Sequence, residues 1–218
     1  IPLGALDGSD GYRVITQQPS NWLDRDEKTY TARGVVFAGG SLGTNELLAN
    51  CKYGGSLPKI SDRLGDLVRT NSESILTVRL PEDLNTWNDV TASSSVHINQ
   101  DTHIEFLSYG RNADLLSGLY TVLVGDGNRA TRSIKWLTSI ATHPNQWLKT
   151  LSPIGWSRHT VLLMVMQTLD NAIALRAKKR RFGRGYSLVT EQDQDKPNPT
   201  YIDIGNQAAA WLAKHTGG

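Results

Sequence analysis

The chain has 218 residues, with 39% apolar and 20% charged side chains, a balance that excludes a disordered chain and fits one large globular domain or two small ones at roughly 150 residues each. Lys and Arg total 23 and Asp and Glu total 21, a formal net charge of +2, so no overall field points at nucleic acid. A single Cys excludes an intramolecular disulfide and a cysteine-built zinc site.

Tyr12–Thr16 alternates polar and apolar side chains, as a half-buried strand does. Asp24–Glu27 follows as a charged turn, then Thr29–Thr31 and Gly34–Ala38 read as two more strands. The second is continuously apolar, the pattern of a strand covered on both faces. It runs into Gly39-Gly40-Ser41-Leu42-Gly43-Thr44 and a helical stretch from Asn45 to Asn50. Leu57–Gly65 is a loop with one helical turn, Ser74–Arg79 a strand, and 81–95 an exposed polar loop. Ser95–Ile98, Thr102–Ser108 and Leu119–Val124 read as strands, and Arg132–Leu148 as one amphipathic helix. Arg158–Leu169 is long, β-branched and apolar, hence a central strand. Its six-residue apolar run from Val161 to Met166 is too short to span a bilayer. Asp170-Asn171 is a turn, Ala172–Lys178 a returning strand, Lys178–Gly185 a basic turn and Tyr186–Thr190 a further strand. After the polar loop Glu191–Pro199, Asn206–His215 forms a helix closed by Gly217. A strand–glycine–helix block followed by a strand-rich block with inserted helices predicts an α+β protein.

Several patterns carry chemistry, each beside a plainer reading. The glycines at 39–43 lie between an apolar strand and a helix, where backbone can approach a ligand and the helix start favours phosphate. A tight turn with Ser41 or Thr44 as N-cap accounts for the same residues. Gly125-Asp-Gly-Asn-Arg-Ala130 imitates a dinucleotide fingerprint. It lacks the acid about 20 residues on, since no Asp or Glu occurs between Asp126 and Asp170, and Asp-Gly is a common turn. Residues 128–169 hold Arg129, Arg132, Lys135, Lys149 and Arg158 with Trp136, Trp147 and Trp156. These fit a nucleic-acid or membrane surface, or a helix with cations outside and tryptophans packed inward. Lys178-Lys-Arg-Arg181 is a solvated loop tip. His103 and Glu105 share one face of a strand. A carboxylate there facing an apolar interior would titrate high and serve as a base, while a surface pair on an edge strand explains the same residues. The remaining histidines have no metal spacing, and Cys51 reads as a structural thiol.

Arg33–Leu48 resembles the mid-chain flavin-domain segment of the glucose–methanol–choline oxidoreductases. Leu57–Gly65, Arg69–Glu73, Asp101–Glu105, Met166–Asn171 and Lys196–Thr200 are similar to its cholesterol-oxidase-like branch, in the expected order. The resemblance implies an FAD-binding Rossmann-like domain, of which 1–72 would be a part. It implies a substrate domain over 73–200, with a large, mostly antiparallel sheet backed by helices. Residues 201–218 would be a helix leading back to the FAD domain. It also implies hydride transfer from a carbinol carbon to FAD, with a sterol or another hydrophobic alcohol as substrate and possible double-bond isomerisation. Glu105 matches the isomerising glutamate. Gly39, Gly40 and Ser41 would lie against FAD, and Asn71 on the flavin side. The family's amino-terminal G-x-G-x-x-G and its carboxy-terminal His and Asn are absent. A start at Ile1 without Met and a stop at Gly217-Gly218 agree with an internal portion, inactive alone, whose partners are the missing end segments. Any targeting segment would lie outside the chain, so the resemblance leaves cytoplasmic and secreted locations open. No nucleic-acid partner is expected, and peripheral contact with a membrane stays open. The other reading is a non-catalytic sterol- or lipid-binding module on the same sheet.

Overall fold

The computed structural model describes residues 1–5, 7–18, 26–83, 85–88 and 90–218. In chain order the elements are β1 (Tyr12–Gln17), β2 (Glu27–Ala32), α1 (Gly40–Tyr53), β3 (Ser74–Arg79), β4 (Ala92–His97), β5 (Thr102–Leu107), α2 (Arg132–Thr142), α3 (Pro144–Leu151), α4 (Trp156–His159), β6 (Thr160–Gln167), β7 (Ile173–Lys179), β8 (Tyr186–Gln192) and α5 (Asp203–Thr216). Every strand pairing is antiparallel. The mixed helix and antiparallel-sheet character matches the α+β expectation. Asp24 and Arg25 of the expected charged turn, and positions 84 and 89 of the 81–95 loop, lie outside the described residues. Among the described residues no helix is long and apolar enough to cross a membrane.

The chain divides into two compact units, one of residues 1–69 with 172–197 and one of 70–171 with 198–218. Residues 172–197 group with the first unit, and 201–218 with the sheet of the second.

The first unit holds the β1–β2 hairpin, α1 and the β7–β8 hairpin. Asn50 of α1 imitates a strand neighbour. Its Nδ2 donates to Tyr186 O at 3.0 Å, and its Oδ1 accepts from Tyr186 N–H at 2.7 Å. Arg180 pairs with Glu46, so the basic turn is not solvated throughout. Ala172–Lys178 does return as a strand, but it pairs with β8 and not with β6. Beside it, Leu175 N–H donates to Gly65 O at 2.7 Å. Gly65 sits at φ +83°, and a Cβ there would fall 2.1 Å from Leu175 O, so only glycine closes this loop.

In the second unit the sheet order is β3-β6-β5-β4, which makes β6 central as its apolar run predicts. One face carries Leu76, Val78, Ile104, Leu163 and Val165 against Ile202, Ala209, Leu212 and Ala213. The helix α5 can lie this close because Gly205, Ala209 and Ala213 recur every four residues along one stripe. A Cβ on Gly205 would meet Val165 Cγ2 at 2.9 Å and Leu76 Cδ1 at 3.3 Å.

Three expected elements differ. Gly34–Ala38 is no strand, and Val36 is 90% exposed; no described segment takes its backbone hydrogen bonds, and a strand exists only where a neighbour does. Leu119–Val124 is no strand either: Leu119 ends a 3-10 helix, and Val124 O accepts from the Asn206 side chain at 3.2 Å. The single helix 132–148 is two, α2 and α3, broken at His143 (φ −131°, ψ 56°), because a residue before proline is pushed out of the helical region.

Gly205→Ala is expected to destabilise the chain. Overpacking against immobile Val165 costs about 1–3 kcal/mol, more than the ~1 kcal/mol of helix propensity gained. Gly43→Ala in α1, where a Cβ meets nothing within 4 Å, is expected to be neutral or stabilising. Paired thermal denaturations check both.

Candidate functional site

Alternation along β5 sends Thr102, Ile104 and Phe106 toward α5, and His103, Glu105 and Leu107 to the opposite face. Glu105 stands across from Met164 on β6 and Ser95 on β4, and His103 across from Met166 and His97. His103 Nε2 lies 3.8 Å from Glu105 Oε1, and the His97 and His103 rings stack at 5.3 Å. The expected sharing of one face is therefore observed. The edge-strand alternative is not, because β5 is interior to the sheet. The expected apolar enclosure is absent within this chain, since the His103 and Glu105 side chains keep 29% and 30% exposure. Chemically, the pair is a carboxylate able to take a proton beside an imidazole able to hold one.

The start of β3, the start of β5 and the end of β6 meet beside this pair. Gln167 N–H donates to Asn71 O at 3.0 Å, and Thr168 N–H to Asp101 O at 2.8 Å. Gln167 Nε2 donates to Thr102 Oγ1 at 3.1 Å. Asn71 Nδ2 donates to Glu73 Oε2 at 2.5 Å, so Glu73 orients Asn71. Behind it, Ser72 and Asn171 are buried and bond to each other, Asn171 Nδ2 donating to Ser72 Oγ at 3.1 Å. Ser72 holds φ +42°, a left-handed conformation that costs a non-glycine residue about 1–3 kcal/mol and clusters at functional sites. Three segments with the family resemblance, 69–73, 101–105 and 166–171, thus come to one end of one sheet. The Ser72–Asn171 pair escaped the sequence reading. Both residues stand in quoted segments, but nothing local links positions 99 apart.

Gly39, Gly40 and Ser41 lie in the first unit, at the start of α1. Gly39 is the N-cap and its N–H is taken by Thr44 Oγ1 at 3.2 Å, so Thr44 stabilises the turn without being the cap. Gly40 has φ +68° with nothing within 4 Å of a Cβ, and the first turn carries no acidic residue. Open first-turn amides without a nearby carboxylate fit the anionic oxygens of a cofactor such as FAD. Asn71 belongs to the other unit.

The remaining candidates resolve into structure. In Gly125–Ala130 the Ala130 and Thr131 amides both donate to Asn128 Oδ1 at 3.0 Å, so an Asx turn accounts for the apparent fingerprint. Lys135 pairs with Asp126, Arg158 with Asp83, and Arg132 stacks on Tyr201 at 4.8 Å. Trp156 is buried between Tyr109 and Tyr120, with ring centroids 5.8 and 5.5 Å away. There burial, reinforced by the Tyr109 hydroxyl, pushes the Tyr120 phenol well above its ordinary range. Cys51 is half-buried and free.

Comparison with known proteins bears on this arrangement. The chain is 38% identical over 212 residues to a cholesterol oxidase of Acinetobacter baumannii, covering 97% of this chain and 38% of that protein. It is 39% identical over 226 residues to a cholesterol oxidase of Mycobacterium tuberculosis, covering 98% of this chain and 39% of that protein. This chain is cholesterol-oxidase-like over nearly its whole length. No protein-family model and no solved structure matches it. The cholesterol-oxidase-like chain spans well under half the length of these relatives, 38% and 39%. The three converging segments all fall within a similarity that extends over 97–98% of its residues.

Ser72→Ala and Asn171→Ala are each expected to cost about 1–3 kcal/mol, the penalty of leaving a buried polar partner unsatisfied. The double variant is expected to cost less than the sum of the two. Denaturant unfolding of the four proteins measures the coupling.

Proposed function

We propose that the chain is a portion of an FAD-dependent oxidoreductase of the glucose–methanol–choline class, acting on the CH–OH group of a sterol or another hydrophobic alcohol. The observation that carries the reading is the similarity to two cholesterol oxidases across 97% and 98% of this chain. The convergence of segments 69–73, 101–105 and 166–171 beside Glu105 supports it. FAD, when bound, supplies the hydride acceptor. Gly40 and Ser41 would offer first-turn amides to its anionic oxygens, and Asn71, held by Glu73, is the residue of the second unit that the family resemblance assigns to the flavin side.

Glu105 is the proton shuttle for movement of a ring double bond. Its carboxylate removes a proton from one ring carbon, carries it as a neutral carboxyl group and returns it to another carbon, and His103 at 3.8 Å borders the group that does so. The net change is a shifted double bond, with no gain or loss of protons or electrons. The half-open setting of Glu105 implies that the bound sterol itself completes the apolar wall opposite the sheet. Turnover needs the parts of the oxidase that this chain does not cover. A non-catalytic sterol-binding module is the weaker reading, because the relatives at this level of identity carry the name of an oxidase.

Two measurements check the reading. The assembled oxidase is expected to show the flavin absorption band and to oxidise cholesterol; a colourless protein that still binds sterol would sink the proposal in favour of a binding module. In that oxidase Glu105→Gln is expected to slow isomerisation by about 10²–10⁴, the usual range for loss of a general base, while sparing alcohol oxidation. Equal loss of both steps would remove Glu105 from this role.

A further inference from the structure

The β7–β8 hairpin of the first unit turns over at Lys178-Lys-Arg-Arg-Phe-Gly-Arg184. Lys178, Lys179, Arg180, Arg181 and Arg184 place five cations within seven residues, and no Asp or Glu occurs between Asp170 and Glu191. All seven residues are exposed. Among the described residues only Arg180 of the five has a carboxylate partner, Glu46. Phe182 stands among them 85% exposed, with the Arg181 guanidinium over its ring at 5.8 Å.

The base of this tip is fixed. Arg180 N–H donates to Gly185 O at 3.0 Å and closes the turn. Below it Asn50 holds both main-chain groups of Tyr186, and the Tyr53 and Tyr186 rings meet with centroids 5.2 Å apart. Gly185 has φ +87°, and a Cβ there would fall 2.4 Å from Asn50 Oδ1, so glycine is required where the strand returns to α1. The cations beyond that point are carried on an anchored hairpin, and presenting them to a partner costs little ordering entropy.

Such a tip is unfavourable by itself, because like charges repel and a phenyl ring left in water forgoes its burial energy. Three cations of the 128–169 stretch are answered internally, Lys135 by Asp126, Arg158 by Asp83 and Arg132 by Tyr201. Those at the tip are not. A plane of anionic headgroups over hydrocarbon answers both parts, the headgroups meeting the cations and the apolar layer taking the ring. A strand of nucleic acid asks instead for a series of aromatic platforms along a basic groove, and this tip has one ring.

We propose that the 178–184 tip docks the protein on a bilayer of anionic phospholipid, with the cations against the headgroups and Phe182 inserted at the interface. The choice of a lipid surface rests on the reading of the chain as part of an oxidase of a hydrophobic alcohol, since such a substrate partitions into bilayers. The contact is electrostatic first, so it depends on headgroup charge and on salt.

The test is co-sedimentation of the 218-residue chain with vesicles of phosphatidylcholine alone and of phosphatidylcholine and phosphatidylserine in equal parts. The chain is expected to bind the second and not the first. It is expected to be released as salt rises from about 0.01 M to about 1 M, over which the screening length falls from about 30 Å to about 3 Å. Each Lys or Arg near such a surface is worth about fivefold in affinity, so the combined Lys178→Gln, Lys179→Gln and Arg181→Gln variant is expected to bind about a hundredfold more weakly. Lys178→Arg with Lys179→Arg keeps the charge and is expected to retain binding. Phe182→Ser is expected to weaken it about tenfold. Thermal denaturation is expected to be the same for all of them, because these side chains are exposed. The proposal is overturned if neutral and anionic vesicles are bound alike, or if the triple variant binds as the wild type does. Tighter binding of duplex DNA than of the anionic vesicles also overturns it and gives the tip to nucleic acid. The two readings fail separately. An assembled oxidase that oxidises cholesterol in anionic vesicles equally well with and without the three cations overturns the tip alone. Charge-dependent vesicle binding by an assembly that holds no flavin and leaves cholesterol unchanged overturns only the oxidase.

Discussion

The close seating of α5 on β3 and β6 organises the second unit. It depends on Gly205, where even a methyl group would press on Val165 and Leu76. With that approach allowed, Val165 is removed from solvent completely, and one face of the sheet is committed to the core. The opposite face follows by default. Because side chains alternate, fixing Ile104 inward fixes His103 and Glu105 outward on the other side. A packing constraint on one face thus selects the polar pair on the other.

The same strand that supplies the core carries the chemistry at its end. β6 is apolar where α5 covers it and turns polar from Gln167 on, where it binds the backbone of Asn71 and the hydroxyl of Thr102. The buried Ser72–Asn171 pair closes this end of the sheet. It holds Ser72, between Asn71 and Glu73 just ahead of β3, in a conformation the chain would not adopt unaided. His103 and Glu105 are on a strand, and Asn71 and Glu73 lie immediately ahead of β3 beside the Ser72–Asn171 pair, which suits groups that must keep their positions while a substrate is bound.

Much of this was legible in the sequence. The strands at 12–16, 74–79 and 102–108 and the terminal helix follow from alternation, apolar spacing and the Gly217 stop, and the shared face of His103 and Glu105 follows from a spacing of two. The misreadings have one cause at Gly34–Ala38 and Leu119–Val124. Both have the composition of strands, but a strand also needs a neighbour, and composition does not report whether one is present. The break at His143 was visible as Pro144, yet the apolar spacing runs on across it and conceals the boundary. The return of 172–197 to the first unit left no local trace.

By itself, then, the sequence determined which way side chains face along each strand, where α5 stops, and the order of the segments that resemble the oxidases. These are properties of a few neighbouring residues and the backbone that joins them. Only the tertiary structure decided that Asn171 would meet Ser72, that β5 would be interior, that Glu105 would remain half-open, and that β3 would keep a free edge. Each of those depends on two segments far apart in the chain arriving at the same place, and the free energy that brings them there comes from burying β6 and α5 against each other.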